Sequence, residues 1–219
     1  MIKAVIFDFD GLILDTEYAL YDAFCQVLEV EAGQLPIKEY ATYIGTDGKA
    51  LYDYILNQSN GTLTMEEVIE KSGVFHREKL KNPIAREGVE DYLKAAKEKG
   101  FKIALATSSD REWVSDFLTQ LGLIEYFDVL STKDDVEHVK PDPAVYQNAI
   151  RQLGVLSEEV IAFEDSGNGT KAAVAAGVNC VIVPNQITEN LPFSGHKMRL
   201  SSMKEMSFED VLTKIEEAL

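Results

Sequence analysis

The stretch that most limits what this chain can become is residues 2–16, I-K-A-V-I-F-D-F-D-G-L-I-L-D-T. Residues 2–7 are apolar, β-branched or aromatic except for Lys3, a composition that suits a strand buried on both faces of a parallel sheet. The run stops at Asp8-Phe9-Asp10-Gly11. Strand side chains alternate, so Asp8 and Asp10 start out pointing the same way. Gly11 then allows a turn that residues with a Cβ resist. Two carboxylates are thereby expected at the C-terminal end of a buried strand, where open α/β sheets bind ligands. Like charges this close resist joint ionisation, and a bound cation or a proton relieves them. Taken alone, D-x-D could equally be an acidic turn that starts a helix, with Asp15-Thr16 as its cap. The rest of the chain decides between the two.

From residue 83 onward the pattern alternates between strand and helix. Strands are expected at 101–106, 127–130, 160–163 and 179–183. Helices are expected at 88–99, 110–121, 143–153 and 170–176, and Phe208, Val211, Leu212 and Ile215 mark a closing one. Residues 184–206 read as loop with a short strand near Met198. With the first strand this makes a Rossmann-like α/β fold, a parallel sheet of about five strands with helices on both faces. No strand pattern occurs from 15 to 82. Leu20, Phe24 and Val27-Leu28, then Leu51 with Tyr54-Ile55, then Met65 with Val68-Ile69, have helical spacing, and Thr64 with Glu67 makes a capping box. The expected domains are an α/β core of 1–14 and 83–219 and a small helical insertion of 15–82.

Composition narrows the function. The net charge of -16 opposes a nucleic-acid surface, which needs Lys and Arg against phosphates, and opposes docking on anionic membranes. No apolar run nears the ~20 residues of a membrane helix, and the start of the chain does not read as a signal peptide. Cys25 and Cys180 lie far apart, without C-x-x-C spacing, and read as small buried residues of a reducing compartment. A cytoplasmic protein, monomeric or a small homo-oligomer, is expected.

The chemistry lies at the C-terminal end of each strand. After the first come Asp8 and Asp10; after the second, Thr107-Ser108-Ser109, opening a helix; after the third, a loop with Lys140-Pro141-Asp142-Pro143; after the fourth, Glu164-Asp165-Ser166-Gly167. In a parallel sheet these ends share one edge. Thr107 and Ser108 would offer hydroxyl and backbone donors to an anion at a helix start, or Ser108-Ser109 would only cap that helix. Most lysines are solvated, and Lys133 is the alternative cation to Lys140. Two acids on a buried strand are costly unless a cation or donors meet them. Asp8, the backbone carbonyl of Asp10, and Asp165 make an all-oxygen set suited to Mg²⁺, with Glu164 a ligand or an orienting neighbour. Zinc does not suit, because His76, His138 and His196 lack ligand spacing. A cation, an anion site and a carboxylate nucleophile together equip phosphoryl transfer through an aspartyl phosphate.

With these four motifs in order, the sequence resembles the haloacid dehalogenase superfamily over nearly its whole length, and within it the branch of β-phosphoglucomutase and small-molecule phosphatases. The resemblance implies that Asp8 is the nucleophile and Asp10 the general acid and then base. It implies that Thr107 and Ser108 bind the phosphoryl group and that Lys140 bridges it to Asp8. Asp8, Asp10, Glu164 and Asp165 would hold Mg²⁺, and the substrate would be a small phosphorylated molecule. The segment 15–82 would be a cap. The mutase carries a lysine and an asparagine where this chain has Asp110 and Arg111, and a cap histidine where this chain reads Glu17-Tyr18-Ala19-Leu20. Hydrolysis is therefore expected over the alternative, mutase-type transfer between positions of a sugar phosphate. Tyr43, Thr46 and Lys49 are expected to face the site and choose the substrate.

Other classes fit less well. Gly167-Asn168-Gly169-Thr170-Lys171-Ala172 matches a dinucleotide fingerprint, but it comes after the fourth strand and two acids that would repel a pyrophosphate. A receiver-type phospho-acceptor switch uses similar residues but needs no helical insertion. No nucleophile elbow or Walker loop occurs.

Overall fold

In the computed structural model, which describes residues 1–44 and 48–219, β1 (Ala4–Phe7) is buried at every position. It sits inside a six-stranded parallel sheet of order β3-β2-β1-β4-β5-β6. The other strands are β2 (Lys102–Ala106), β3 (Val129–Ser131), β4 (Val160–Glu164), β5 (Asn179–Ile182) and β6 (Met198–Arg199). Val5 lies opposite Ile103 on one side and Ile161 on the other, so the ends of β1, β2 and β4 are level.

Alternation gives the two faces different side chains. Val5, Phe7, Ile103, Leu105, Ile161 and Phe163 pack with Tyr92 and Leu93 of α5 (Val89–Glu98), Leu118 of α6 (Arg111–Gln120) and Phe208 of α9 (Phe208–Glu217). Phe7 and Phe163 stack at 5.1 Å between ring centres. The opposite face carries Ala4, Ile6, Ala104, Ala106 and Ala162, and packs with Val145 and Ala149 of α7 (Ala144–Leu153) and Ala172 of α8 (Gly167–Ala175). Cys25 and Cys180 are buried and unpaired.

Between β1 and α5 the chain is helical: α1 (Thr16–Val27), α2 (Ile37–Tyr40), α3 (Lys49–Gln58) and α4 (Met65–Lys79). Among the described residues of this segment there is no strand. Tyr21, Phe24, Tyr40, Leu51, Ile55 and Val68 form its own apolar cluster, joined by Ile187 from the loop after β5. The capping box at α4 is present, with Thr64 N donating to Glu67 Oε2 at 2.8 Å and Glu67 N to Thr64 Oγ1 at 3.2 Å. No helix of the described residues is long and apolar enough to cross a membrane.

Most boundaries shift by a residue or two, and three differences from the sequence reading have a local reason. The sheet has six strands, because the stretch near Met198 pairs with β5 over two residues and is too short to show periodicity. Helix α8 begins at Gly167, not residue 170, because Ser166 caps it, its Oγ accepting from Gly169 N at 3.0 Å. Helix α6 begins at Arg111 and is capped by Asp110, whose Oδ1 accepts from Trp113 N at 2.8 Å. The cap of α6 is therefore Asp110, not Ser108 or Ser109.

Arg86 ties the sheet edge together. Its guanidinium donates to the carbonyl of Gly11 after β1, and to those of Val183 at 3.2 Å and Pro184 at 2.8 Å after β5. Replacing it with Met keeps the stem but strands the Val183 and Pro184 carbonyls, while Gly11 O keeps its bond from Asn185 Nδ2 at 3.2 Å; each buried acceptor left unsatisfied costs about 1–3 kcal/mol. R86M is expected to lose at least about 2 kcal/mol of stability in urea unfolding; a midpoint unchanged from wild type would show that the three bonds do not fasten these loops.

Candidate active site

The C-terminal ends of β1, β2 and β4 and the loop before α7 converge on a cavity of about 260 Å³. Asp8, Asp10, Thr107, Ser108, Lys140 and Asp165 all line it. These expected site residues are brought together; Glu164 lies directly behind, fully buried.

Lys140 is the pivot, only 2 % exposed. Its Nζ lies 2.7 Å from Asp8 Oδ1 and 2.6 Å from Glu164 Oε1. The alternative cation, Lys133, pairs with Asp110 at 3.0 Å on the surface. Glu164 is saturated. Oε1 also accepts from the Tyr146 hydroxyl at 2.7 Å, and Oε2 faces Ser166 Oγ at 3.2 Å and the amides of Asp165 and Ser166 at 3.2 and 3.3 Å. Of its two expected roles, this geometry favours orienting a neighbour over ligating a metal. A Cβ on Gly169 would lie 2.0 Å from Glu164 Oε1, so the first turn of α8 can pass over this carboxylate only as glycine.

Asp165 is held differently. Its Oδ2 accepts from Asn185 Nδ2 at 2.7 Å, whereas its Oδ1 is buried with no hydrogen-bond partner among the described residues. Asp8, Glu164 and Asp165 each bring a carboxylate oxygen within 4.8 Å of the others. A buried, all-oxygen set with an orphaned carboxylate oxygen fits a hard divalent cation. Gly11, at φ +76°, keeps this corner open: a Cβ there would meet Asp165 Oδ2 at 2.3 Å.

Asp10 turns aside from Asp8. Ser109 Oγ donates to its Oδ2 at 2.6 Å and Trp113 Nε1 to its Oδ1 at 3.1 Å. His76 of α4 stacks on Trp113 with ring centres 5.4 Å apart and contacts the carbonyl of Thr16 through Nε2 at 3.1 Å. Burial pushes the His76 imidazole toward its neutral form.

A sequence model of the haloacid dehalogenase-like hydrolases matches residues 5–183. The chain belongs to this family. Among curated relatives, YhcW of Bacillus subtilis (strain 168), assigned as a phosphatase, is 47% identical over 207 residues, covering 94% of both chains. The phosphorylated carbohydrates phosphatase of Thermotoga maritima is 33% identical over 181 residues, 80% of this chain and 82% of its own. The solved structure of CbbY from Rhodobacter sphaeroides in complex with xylulose-(1,5)bisphosphate superposes with a TM-score of 0.77 at 28% identity, covering 94% of this chain and 96% of that one. With relatives assigned in this way, this haloacid dehalogenase-like hydrolase is a phosphatase.

The family motifs therefore sit where the strand ends place them, but several residues around them escaped the sequence reading. Asn185 lies just after β5, so reading the end of the fifth strand as the other four were read would have found it. Tyr146, Trp113 and His76 keep helical periodicity and look like core positions; nothing local marks them. Of the residues expected to choose the substrate, Thr46 lies outside the described residues, Tyr43 stacks on Tyr54 at 5.1 Å, and Lys49 pairs with Asp53 at 3.2 Å. From this stretch Ile44 and Tyr52 line the cavity instead. Asp110 and Arg111 are engaged with Lys133 and Asp135.

Burial, and after it the charge of Glu164, pushes the Asp8 carboxyl up to about 7, against the pull of Lys140. Burial and Asp8 likewise raise Asp165 well above the carboxylate range. An acid whose pKa rises on folding supports the fold below its unfolded value and loses that support as pH climbs through the folded one. Without divalent cations, stability is therefore expected to fall as pH rises from 3.8 through about 7, with Asp8 contributing to the fall. Thermal unfolding of the chelated protein at stepped pH reads this directly. D8N should flatten the decline, and an equal slope in D8N would take Asp8 out of it.

Proposed function

We propose that this phosphatase hydrolyses a small phosphomonoester, a sugar phosphate or similar molecule, through an aspartyl phosphate on Asp8. The observation that carries the reading is the position of Asp8: only 5 % exposed, at the cavity floor, bound to Lys140 at 2.7 Å and next to Asp165 with its orphaned oxygen. A carboxylate kept among charges of both signs can meet a phosphate that it would otherwise repel.

In the first step an Asp8 oxygen attacks phosphorus, the ester P–O bond breaks, and the leaving alkoxide takes a proton from Asp10. In the second, Asp10 removes a proton from water, the water oxygen attacks phosphorus, and the Asp8 O–P bond breaks to release phosphate. Thr107 and Ser108 bind the phosphoryl oxygens from the end of β2. Lys140 neutralises charge on Asp8 and the phosphoryl group, while Glu164, Tyr146 and Ser166 hold that lysine in place. The bonds from Ser109 and Trp113 support an acid–base group held within the cavity.

Asp8, Asp165 and the backbone carbonyl of Asp10 would hold Mg²⁺, with Glu164 beside them. Bound there, the ion supplies positive charge against the phosphoryl oxygens. The helical segment 15–82 acts as the cap, and 1–14 with 83–219 as the core. Its own apolar cluster supports this division, as do the cavity-lining residues Glu17, Leu20, Ile44, Tyr52 and His76. The buried, unpaired cysteines support a cytoplasmic location.

Phosphate release from a panel of sugar, polyol and nucleotide monophosphates with Mg²⁺ tests the reading. Release that D8N reduces at least about 10³-fold is expected, since the nucleophile itself is lost; release surviving in D8N would end it. The metal has its own test without turnover. Mg²⁺ should raise the wild-type melting temperature at pH 8 more than at pH 5, where the raised carboxyls hold protons, and D165N should respond less. Equal shifts in D165N would remove Asp165 from the ligand set.

A further inference from the structure

The cavity is also lined by two residues whose polar side-chain groups have no partner among the described residues. Glu17, in the first turn of α1, lines the cavity and is only 9 % exposed. Its carboxylate makes no hydrogen bond or ion pair among the described residues. Thr16, beside it in sequence, also lines the cavity at 3 % exposed, and its Oγ1 is buried without a partner among the described residues. Folding normally satisfies such groups, so two adjacent ones on residues that line a cavity point to what the cavity is built to receive. Around them the wall is apolar and aromatic: Leu20, Ile44, Tyr52 and Trp113.

Among the described residues, no cation other than Lys140 lines the cavity, and Lys140 is engaged by Asp8 and Glu164. Burial keeps His76 toward neutral. The stretch Gly45-Thr46-Asp47, outside the described residues, contains no base. An anion on the leaving group would therefore enter against Glu17, Asp8 and Asp10 with no cation to meet it.

We infer that Glu17, with Thr16 beside it, is the specificity-determining group of this site, selecting phosphomonoesters whose leaving group is a neutral, hydroxyl-bearing chain or ring and rejecting those that carry a second phosphate or a carboxylate. This rests on the hydrolytic reading above. A hydroxyl both donates and accepts, so it pairs with the Glu17 carboxyl in either protonation state, and Thr16 offers a second donor and acceptor. The apolar wall suits the carbon skeleton between the hydroxyls. Discrimination comes as much from the anion that is refused as from the hydroxyl that is bound.

The test measures kcat/KM of wild type, E17Q and E17L with Mg²⁺ on a hexitol 6-phosphate, phosphoglycolate and inorganic pyrophosphate. Wild type should prefer the hexitol phosphate to both anionic substrates by at least about 100-fold, the scale of two lost interactions of about tenfold each. E17L should cut that preference at least about tenfold, mainly through KM for the hexitol phosphate. E17Q, which keeps hydrogen bonding and drops the charge, should cut it less, and it keeps the question answerable should E17L fail to fold. A wild type that takes phosphoglycolate or pyrophosphate as readily as the hexitol phosphate overturns the inference, as does an unchanged preference in both variants. Failure of the hydrolytic reading looks different: no release from any of the three, or release that survives in D8N, and either removes the inference with it.

Discussion

A single buried ammonium holds this site together. Lys140 lies between Asp8 and Glu164, and a buried charge is stable only when its partners are placed well and satisfied in turn. Here the satisfaction runs outward. Glu164 draws in Tyr146 from α7 and Ser166 at the start of α8, and α8 can come that close because Gly169 has no side chain. Two helices and a strand are thereby fixed relative to one charge. The arrangement also leaves Asp8 and Asp165 with more carboxylate around them than the protein offsets, and both carboxyls are raised by burial and by their acidic neighbours.

Much of this was legible in the sequence because the sheet does two jobs. Residues 4–7, 102–106 and 160–164 are nearly continuous apolar runs since both faces are covered, and such runs stand out. The polar residue that ends each run must then sit on the common edge. The order Asp8, Thr107, Lys140, Glu164-Asp165 could be read as one site for that reason alone. What could not be read are the supports. Arg86 bonds to carbonyls, which every residue carries, and Asn185 reaches Asp165 and Gly11 across 20 and 174 residues of chain. Trp113 and His76 keep helical spacing and serve packing and polar contacts together, so periodicity assigns them to the core. Strand β6 was expected near Met198, but its two residues have no period that would add it to the count of the sheet.

The helical segment shows how far a family resemblance carries. It locates the segment and its place in the chain, but the residues that face the cavity depend on how each helix is rolled. Ile44 and Tyr52 line the wall, while Tyr43 turns to Tyr54 and Lys49 to Asp53. Positions a residue or two apart on a helical stretch face different ways, so no motif can transfer specificity without the packing that sets the roll. Glu17 lies in the first turn of α1, which Asp15 caps by accepting from Tyr18 N at 3.3 Å, and it lines the cavity.

The chain contains a single tryptophan, and it is Trp113. Its indole N–H rests on Asp10, one ring face lies against His76 of the helical segment, and Phe117 meets it edge-on at 4.7 Å. All ultraviolet emission from indole in this protein therefore originates beside Asp10, at the seam between α4 and α6. The molecule carries its own optical label at its reactive centre, so occupancy of the cavity, and any movement of α4 against α6, can be followed by light without attaching a dye.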